Sequence, residues 1–192
     1  MARAAESAPQ VEVRSRAELR DWLAANHATG RSVWLVTWKK HTGQNLPYGD
    51  LVEELLCWGW IDSQSRGVDA DRTSLLIAPR NPKSAWSAIN KEKIASARAS
   101  GAMTEAGERL IRIAQESGMW DFLDDVDRLV VPDDLAAALG ALREGWDAYP
   151  KSVRRGTLEW IKTAKGAKTR ATRIAGVVTS LEQALRPPPF RR

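Results

Sequence analysis

The sequence predicts an α+β fold: a small antiparallel sheet with flanking helices in the N-terminal half, followed by an all-helical C-terminal half. β-branched and aromatic segments typical of strands are concentrated before Pro79. After Pro79 the regular segments have helical spacing or helix caps. The strand segments are joined by tight turns rather than by helices, which argues against a doubly wound parallel sheet.

The N-terminal half opens with Ser15 and Glu18 at the spacing of a capping box, which predicts a helix over residues 16–26. The segment Ser32–Lys39 is apolar on both faces, as expected of a central strand. Gly59 suits the end of a second helix, over residues 49–58. Two further strands are predicted after it, over residues 60–68 and 73–78.

The C-terminal half is predicted to be helical throughout. Caps and apolar periodicity predict five helices, over residues 87–100, 104–117, 133–142, 152–165 and 169–185. We therefore expect an α+β part with a candidate ligand pocket over residues 11–100 and a helical part over residues 101–185, packed together as one compact unit. Residues 1–10 and 186–192 are expected to be flexible, because the triple proline of the tail cannot continue a helix.

Composition indicates a soluble globular protein in a reducing compartment. The chain has 192 residues, of which 43% are hydrophobic and 28% charged, and no apolar run approaches the roughly 18–20 residues that span a bilayer. The N-terminus MARAAESAPQ lacks the apolar region of a secretory signal. The single cysteine, Cys57, precludes an internal disulfide. A cytoplasmic location is expected.

The charges are unevenly distributed along the chain. Residues 101–147 carry 4 basic and 11 acidic side chains, whereas residues 148–192 carry 11 basic and 2 acidic ones. The basic segment could attract nucleic acid or another anionic partner. In the alternative interpretation the two segments lie close together and neutralise each other.

Familiar catalytic and metal-binding motifs are absent from the sequence. It contains no H-E-x-x-H, C-x-x-C or G-x-S-x-G motif. Two histidines and one cysteine are too few for a usual transition-metal site. No metal and no cofactor is therefore expected, and a binding protein is favoured over an enzyme. The enzymatic alternative would use Asp62 or His41 as a general base.

The stretch CWGWIDSQ, residues 57–64, raises the first site hypothesis. In an extended strand Trp58, Trp60 and Asp62 point the same way. A carboxylate in line with two indoles is typical of a ligand pocket with aromatic walls and a polar anchor. In the alternative interpretation the indoles fill a core and Asp62 pairs with an arginine or caps a turn.

The loop PRNPKSAWS, residues 79–87, raises the second site hypothesis. Its two prolines stiffen the segment that presents Arg80 and Lys83, and Ser84 or Ser87 can cap the next helix. Two cations beside a helix start suit an anion. The alternative is a plain strand-to-helix connection with solvated basic residues.

A third cluster lies where the last two predicted helices join. Lys165, Thr169, Arg170 and Arg173 form a basic corner, which could contact phosphates. The alternative is a solvated end of a helical hairpin. No aromatic residues interleave with the basic ones to stack bases, which weakens the case for single-stranded nucleic acid.

Several motifs taken in order resemble the bacterial YdeI/OmpD-associated family. They are WLV at residues 34–36, KKHTG at 39–43, CWGWID at 57–62, PRNPKSAWS at 79–87, MTEAG at 103–107, WIKTAK at 160–165 and TRATRI at 169–174. The resemblance covers about residues 15–185. Trp58 departs from it, because the family more often has Phe there. It implies a bacterial protein linked to protection against bacteriocins, antimicrobial peptides or envelope stress, and supplies no catalytic residues.

The leading hypothesis is therefore a non-enzymatic protein that binds a small anionic or polar ligand. The predicted pocket consists of Trp60, Asp62, Arg80, Lys83, Ser84 and Trp86, with Lys40, His41 and Tyr48 at its rim. Nucleic-acid binding through Lys165, Thr169, Arg170 and Arg173 is the alternative. No membrane insertion is expected.

Overall fold

The structure, a computed structural model, describes residues 7–190. It divides into two units, with the boundary between Asp121 and Phe122. The boundary that the sequence predicted between its two parts lies earlier, between residues 100 and 101. Among the described residues no helix is both long and apolar enough to cross a bilayer.

The first unit combines all the described strands with four helices. The strands are β1 (Gln10–Glu12), β2 (Val33–Trp38), β3 (Trp60–Gly67) and β4 (Arg72–Pro79). The helices are α1 (Arg16–Asn26), α2 (Tyr48–Cys57), α3 (Ala88–Ala99) and α4 (Glu105–Glu116). Short 3₁₀ turns cover His27–Thr29 and Lys40–Thr42.

The four strands form one sheet in the order β1-β2-β4-β3. The pairs β2–β4 and β3–β4 are antiparallel, as predicted. The prediction of a wholly antiparallel sheet is wrong at one edge, because β1 pairs with β2 in parallel. A parallel pair needs a crossover connection, and α1 with the turn after it provides one.

β2 is buried on both faces, as its apolar pattern predicted. On one face Leu35 packs in the main core with Leu19, Leu55 and Ile77. On the other face Trp34 packs with Leu76. The main core therefore lies between the sheet and the helices. It includes Trp60 and Trp86, and Trp58 packs against it.

The second unit is helical throughout its described residues. Its helices are α5 (Asp124–Asp127), α6 (Asp133–Leu139), α7 (Arg143–Asp147), α8 (Lys151–Lys162) and α9 (Ala167–Glu182), with 3₁₀ turns at Gly140–Leu142 and Pro188–Phe190. The apolar stripes of α8 and α9 supply its core residues Val153, Leu158, Ile161 and Val177.

The segments predicted to be flexible are partly described. Residues 1–6 and 191–192 lie outside the described part of the chain. The Pro9 carbonyl accepts a hydrogen bond from the Trp34 amide at 2.8 Å. At the other end the Phe190 ring lies against α8, so that a Cβ on Gly156 would come within 2.5 Å of its Cζ. Both described ends are thus held by contacts within their own units.

Candidate functional site: a cavity around a buried arginine

A cavity of about 290 Å³ lies in the first unit, where α2 turns into β3. The 3₁₀ turn after α1, the end of β4 and one face of α4 form its other walls. Its apolar wall consists of Ala28, Trp58, Gly59, Trp60, Pro79, Pro82, Ala106, Leu110 and Ile113. The polar residues His27, Arg80 and Arg109 also line it.

Gly59 makes the turn from helix to strand possible. Its φ of +73° is a left-handed conformation that favours glycine, and its amide donates to the Leu56 carbonyl at 3.0 Å. A Cβ at this position would lie 2.8 Å from Leu110 Cδ1. The predicted switch at Gly59 is therefore confirmed, and the same glycine lets α4 approach the junction.

α4 is fixed against the end of α2 by two close contacts. Thr104 Oγ1 donates to the Cys57 carbonyl at 2.6 Å. A Cβ at Gly107 would lie 2.4 Å from that same oxygen, so only glycine fits there. These contacts bring Ala106, Leu110 and Ile113, which share one face of α4, to the cavity wall.

Arg80 is the only buried cation among the described residues. Its amide donates to the Gly59 carbonyl at 2.9 Å, which ties the loop after β4 to the α2–β3 junction. Its guanidinium carbon lies 3.9 Å from the Trp86 ring centroid, and Nη2 donates to the Ala85 carbonyl at 2.6 Å. The residue is 6% exposed.

The charge of Arg80 has no carboxylate partner among the described residues, and its buried Nε has no hydrogen-bond acceptor. Burial lowers the pKa of Arg80 to about 10. That value still leaves the guanidinium charged at neutral pH. A charged group taken out of water with no counterion is destabilising. This cavity is therefore complementary to an anion.

Trp58 forms a fixed wall of the cavity. Its indole Nε1 donates to Glu54 Oε1 at 3.1 Å, and its ring lies 4.9 Å from the His27 ring. His27 Nδ1 lies 3.0 Å from the Leu23 carbonyl. A carbonyl only accepts, so we assign the proton to Nδ1, which leaves Nε2 as an acceptor in the neutral ring.

Glu54, which orients Trp58, is a second buried charge and it is fully paired. The residue is 0% exposed. Arg16 Nε donates to its Oε2, and Arg20 Nη1 donates to its Oε1, both at 2.8 Å. Sequence reasoning missed this cluster, although Glu54 in the middle of an apolar helix was a visible anomaly.

The structure brings together part of the predicted pocket. Trp60 and Arg80 line the cavity. Trp86 lies beneath Arg80, buried in the same core as Trp60. Ser84 is half-buried and its amide donates to the Asn81 carbonyl, whereas Lys83 is exposed. The cap of α3 is Ser87, whose Oγ accepts from the Asn90 amide.

The remaining predicted pocket residues lie elsewhere. Asp62 accepts a hydrogen bond from the Tyr48 hydroxyl at 2.8 Å. Burial and the bond to Asp62 raise the pKa of Tyr48 to about 12. His41 Nε2 lies 3.0 Å from an Asp71 oxygen, and Lys40 is exposed. Since the chain reverses at Gly59, β3 carries Asp62 back toward Tyr48 at the start of α2, away from the cavity.

The pocket predicted from the sequence did not include His27, Trp58, Arg109 or the apolar face of α4. The helical spacing of Ala106, Leu110 and Ile113 is visible in the sequence. The sequence does not show which part of the first unit this face of α4 covers. Arg109 is exposed and has no ion-pair partner among the described residues. It adds positive potential at the cavity.

The basic cluster of the second unit is engaged within the unit. Arg170 donates to both oxygens of Asp134, at 2.6 and 2.8 Å. Arg173 donates to the Trp160 carbonyl and lies over the Trp160 ring. Lys165 and Thr169 are exposed. Further ion pairs join Arg155 to Asp127 and Lys162 to Asp125. The acidic and basic segments thus neutralise each other in part.

Comparison with known protein families finds one match in each part of the chain. Residues 11–110, more than half of the sequence, match the family described as a domain of unknown function, DUF8412, and the chain belongs to that family. Residues 128–184 match the family described as Bacteriocin-protection, YdeI or OmpD-Associated. No curated protein and no solved structure matches the chain.

The resemblance to the YdeI or OmpD-associated family is confirmed over residues 128–184, a shorter range than the residues 15–185 predicted from the sequence. The YdeI or OmpD-associated match covers the α8 and α9 motifs. The CWGWID and PRNPKSAWS motifs fall within the DUF8412 match. With the exception of Ile113, the cavity residues all belong to the DUF8412 part.

Proposed function

We propose that the protein binds a small anionic ligand in the cavity around Arg80, and that it acts by binding rather than by catalysis. The observation that carries the proposal is a charged guanidinium, 6% exposed, beside a cavity and without a carboxylate partner. A bound anion would compensate this charge, as the carboxylate of Glu54 compensates Arg16 and Arg20 elsewhere in the unit.

Three further features support binding. The hydrogen bond from Nη2 to the Ala85 carbonyl and the packing on Trp86 hold the guanidinium in place, so little side-chain entropy is lost when a ligand binds. The walls are mostly apolar, as in most small-molecule sites. Exposed Arg109 adds an attractive potential for anions at the cavity.

The biological role that we propose follows from the family. The match to a bacteriocin-protection family supports a bacterial, cytoplasmic protein that contributes to protection against bacteriocins, antimicrobial peptides or envelope stress. In this proposal the ligand is a small anion that the protein retains or senses. A matched experiment on Arg80 tests the binding step directly.

The test is calorimetric titration of wild type with benzoate, phenyl phosphate and inorganic phosphate at low ionic strength. Arg80→Met keeps an apolar side chain on Trp86 and removes the charge. Arg66→Met is the matched control, because Arg66 also lies over an indole, 3.7 Å from the Trp34 ring centroid, but outside the cavity.

We expect at least one probe to bind wild type and Arg66→Met, with affinity reduced about thirtyfold or more in Arg80→Met. Failure of all three probes to bind wild type would overturn the proposal. Equal affinity in wild type and Arg80→Met would also overturn it.

A further inference from the structure

We propose that the ligand of the Arg80 cavity is a flat, apolar monocarboxylate of about ten non-hydrogen atoms, such as an arylcarboxylate. This inference rests on the proposed function, since it specifies the anion that the cavity takes. Three features of the cavity support it: its charge, its hydrogen-bond donors, and its volume and lining.

The charge favours a single negative group. Arg80 provides one buried positive charge, and the other arginine at the cavity, Arg109, is exposed to solvent. The guanidinium of Arg80 would fully compensate the charge of a monoanion bound beside it. A phosphate monoester carries a second charge that would be buried without a partner or held only by solvated Arg109.

The donors also favour carboxylate over phosphate. Phosphate sites in proteins typically use free main-chain amides. Pro79 and Pro82 have no N–H group, the Gly59 amide donates to Leu56, and the Arg80 amide donates to Gly59. The loop and the junction therefore offer no free amide of these residues to additional phosphate oxygens. The Arg80 guanidinium has no acidic partner, and a planar guanidinium matches the two oxygens of a carboxylate.

The volume and the lining favour an apolar body with an aromatic ring. The volume of about 290 Å³ equals roughly ten water molecules at about 30 Å³ each. Trp58 and Trp60 line the cavity at the α2–β3 junction, and Leu110 and Ile113 line it from α4. An aromatic ring in the cavity would make stacking or edge contacts with Trp58, the less buried of the two tryptophans.

Trp58 is therefore the specificity-determining residue in this inference. Its orientation is set by the hydrogen bond to Glu54 and by Arg20, whose guanidinium carbon lies 5.7 Å from the ring centroid. Replacement by leucine keeps an apolar wall but removes the flat π surface. The preference for an aromatic over a saturated ring should then be lost.

The experiment compares dissociation constants for phenylacetate, cyclohexanecarboxylate, acetate, phenyl phosphate and inorganic phosphate. For wild type we expect phenylacetate to bind at least about tenfold more tightly than acetate and both phosphates, and more tightly than cyclohexanecarboxylate. Trp58→Leu should bind phenylacetate and cyclohexanecarboxylate equally. Trp38→Leu, which changes an indole outside the cavity, should keep the wild-type preference.

The two proposals fail in distinguishable ways. If phenyl phosphate or inorganic phosphate binds more tightly than phenylacetate and the binding is lost in Arg80→Met, the monocarboxylate inference is wrong and anion binding stands. If Trp58→Leu keeps the aromatic preference, Trp58 does not determine it. If no probe binds, or if binding survives Arg80→Met, both proposals are overturned.

Discussion

The first unit buries two charged groups, Glu54 and Arg80, and they differ in their partners. Glu54 is 0% exposed and accepts hydrogen bonds from Arg16, Arg20 and the Trp58 indole. Arg80 is 6% exposed and donates only to a main-chain carbonyl. Trp58 itself contacts Glu54 on its polar edge and lines the Arg80 cavity with its ring.

Glu54 thus stabilises the fold through its ion pairs, whereas the charge of Arg80 remains available to a ligand. Breaking a buried ion pair is strongly destabilising, because removal of one partner leaves the other desolvated and unpaired. Arg80 already lacks a partner in the fold, so its removal leaves no carboxylate behind. Substitution of Glu54 should therefore mainly reduce stability, whereas substitution of Arg80 should mainly abolish ligand binding.

The largest expected effect on stability belongs to Glu54. Glu54→Ala should lower the free energy of unfolding by about 3 kcal/mol, near the lower end for broken buried pairs, because both arginines reach solvent in part. Chemical denaturation at neutral pH measures it. The variant should also release Trp58 and weaken ligand binding.

Glu53→Ala is the control for this substitution. Glu53 is the neighbouring carboxylate, and it accepts only from Arg16, at 2.9 Å. We expect a loss of about 1 kcal/mol. If Glu53→Ala and Glu54→Ala destabilise equally, the paired cluster is not centred on Glu54.

The next largest effect is expected where α4 meets α2. Gly107→Ala places a Cβ 2.4 Å from the Cys57 carbonyl oxygen and 2.8 Å from that of Leu56. Main-chain atoms cannot rotate away, so α4 must shift. We expect a loss of about 2 kcal/mol from overpacking, measured by thermal denaturation.

The same shift should reduce ligand affinity, because Ala106, Leu110 and Ile113 move with α4. Gly67→Ala serves as the control, since no atom lies within 4 Å of a Cβ there. Wild-type affinity in Gly107→Ala would show that α4 is not a wall of the binding site.

The smallest effect is expected for a charge that is paired but exposed. The hydrogen bond from Arg170 holds the pKa of Asp134 below its ordinary value. The stability that this lowered pKa contributes is fully present above the pKa of the unfolded state. It is lost as the pH falls through the pKa of the folded state. Arg170→Gln should therefore cost less than about 1 kcal/mol at pH 7.

NMR titration of Asp134 measures this directly. In Arg170→Gln the pKa should return toward its ordinary value, and the stability difference from wild type should shrink at acidic pH. An ordinary pKa for Asp134 in wild type would mean that the pair does not form in solution.

Much of the first unit could be predicted from local patterns. The cap at Ser15, the two-faced apolar strand around Leu35 and the glycine switch at Gly59 depend on neighbours in the sequence. The hypothesis that joined Trp60 to the Arg80 loop also had a local basis, because a short antiparallel hairpin brings the two ends of its strands together. The register pairs Trp60 with Pro79.

The rest depends on packing between distant segments. Strand alternation placed Asp62 beside Trp60, but only the position of α2 shows that Asp62 meets Tyr48 instead of the cavity. The α4 wall depends on Gly107 against Cys57, fifty residues away in the chain. The parallel β1 has three residues, too few for a recognisable pattern.

The most direct test of the comparison is the free energy of unfolding of wild type and Arg80→Met, each with and without phenylacetate. Without it, Arg80→Met should match wild type within about 1 kcal/mol or exceed it, because no counterion loses its partner. With phenylacetate at about ten times its dissociation constant, wild type should gain about 1.4 kcal/mol and the variant nothing. A loss of several kcal/mol in Arg80→Met without phenylacetate, with no gain for wild type in its presence, would instead make Arg80 a structural charge like Glu54.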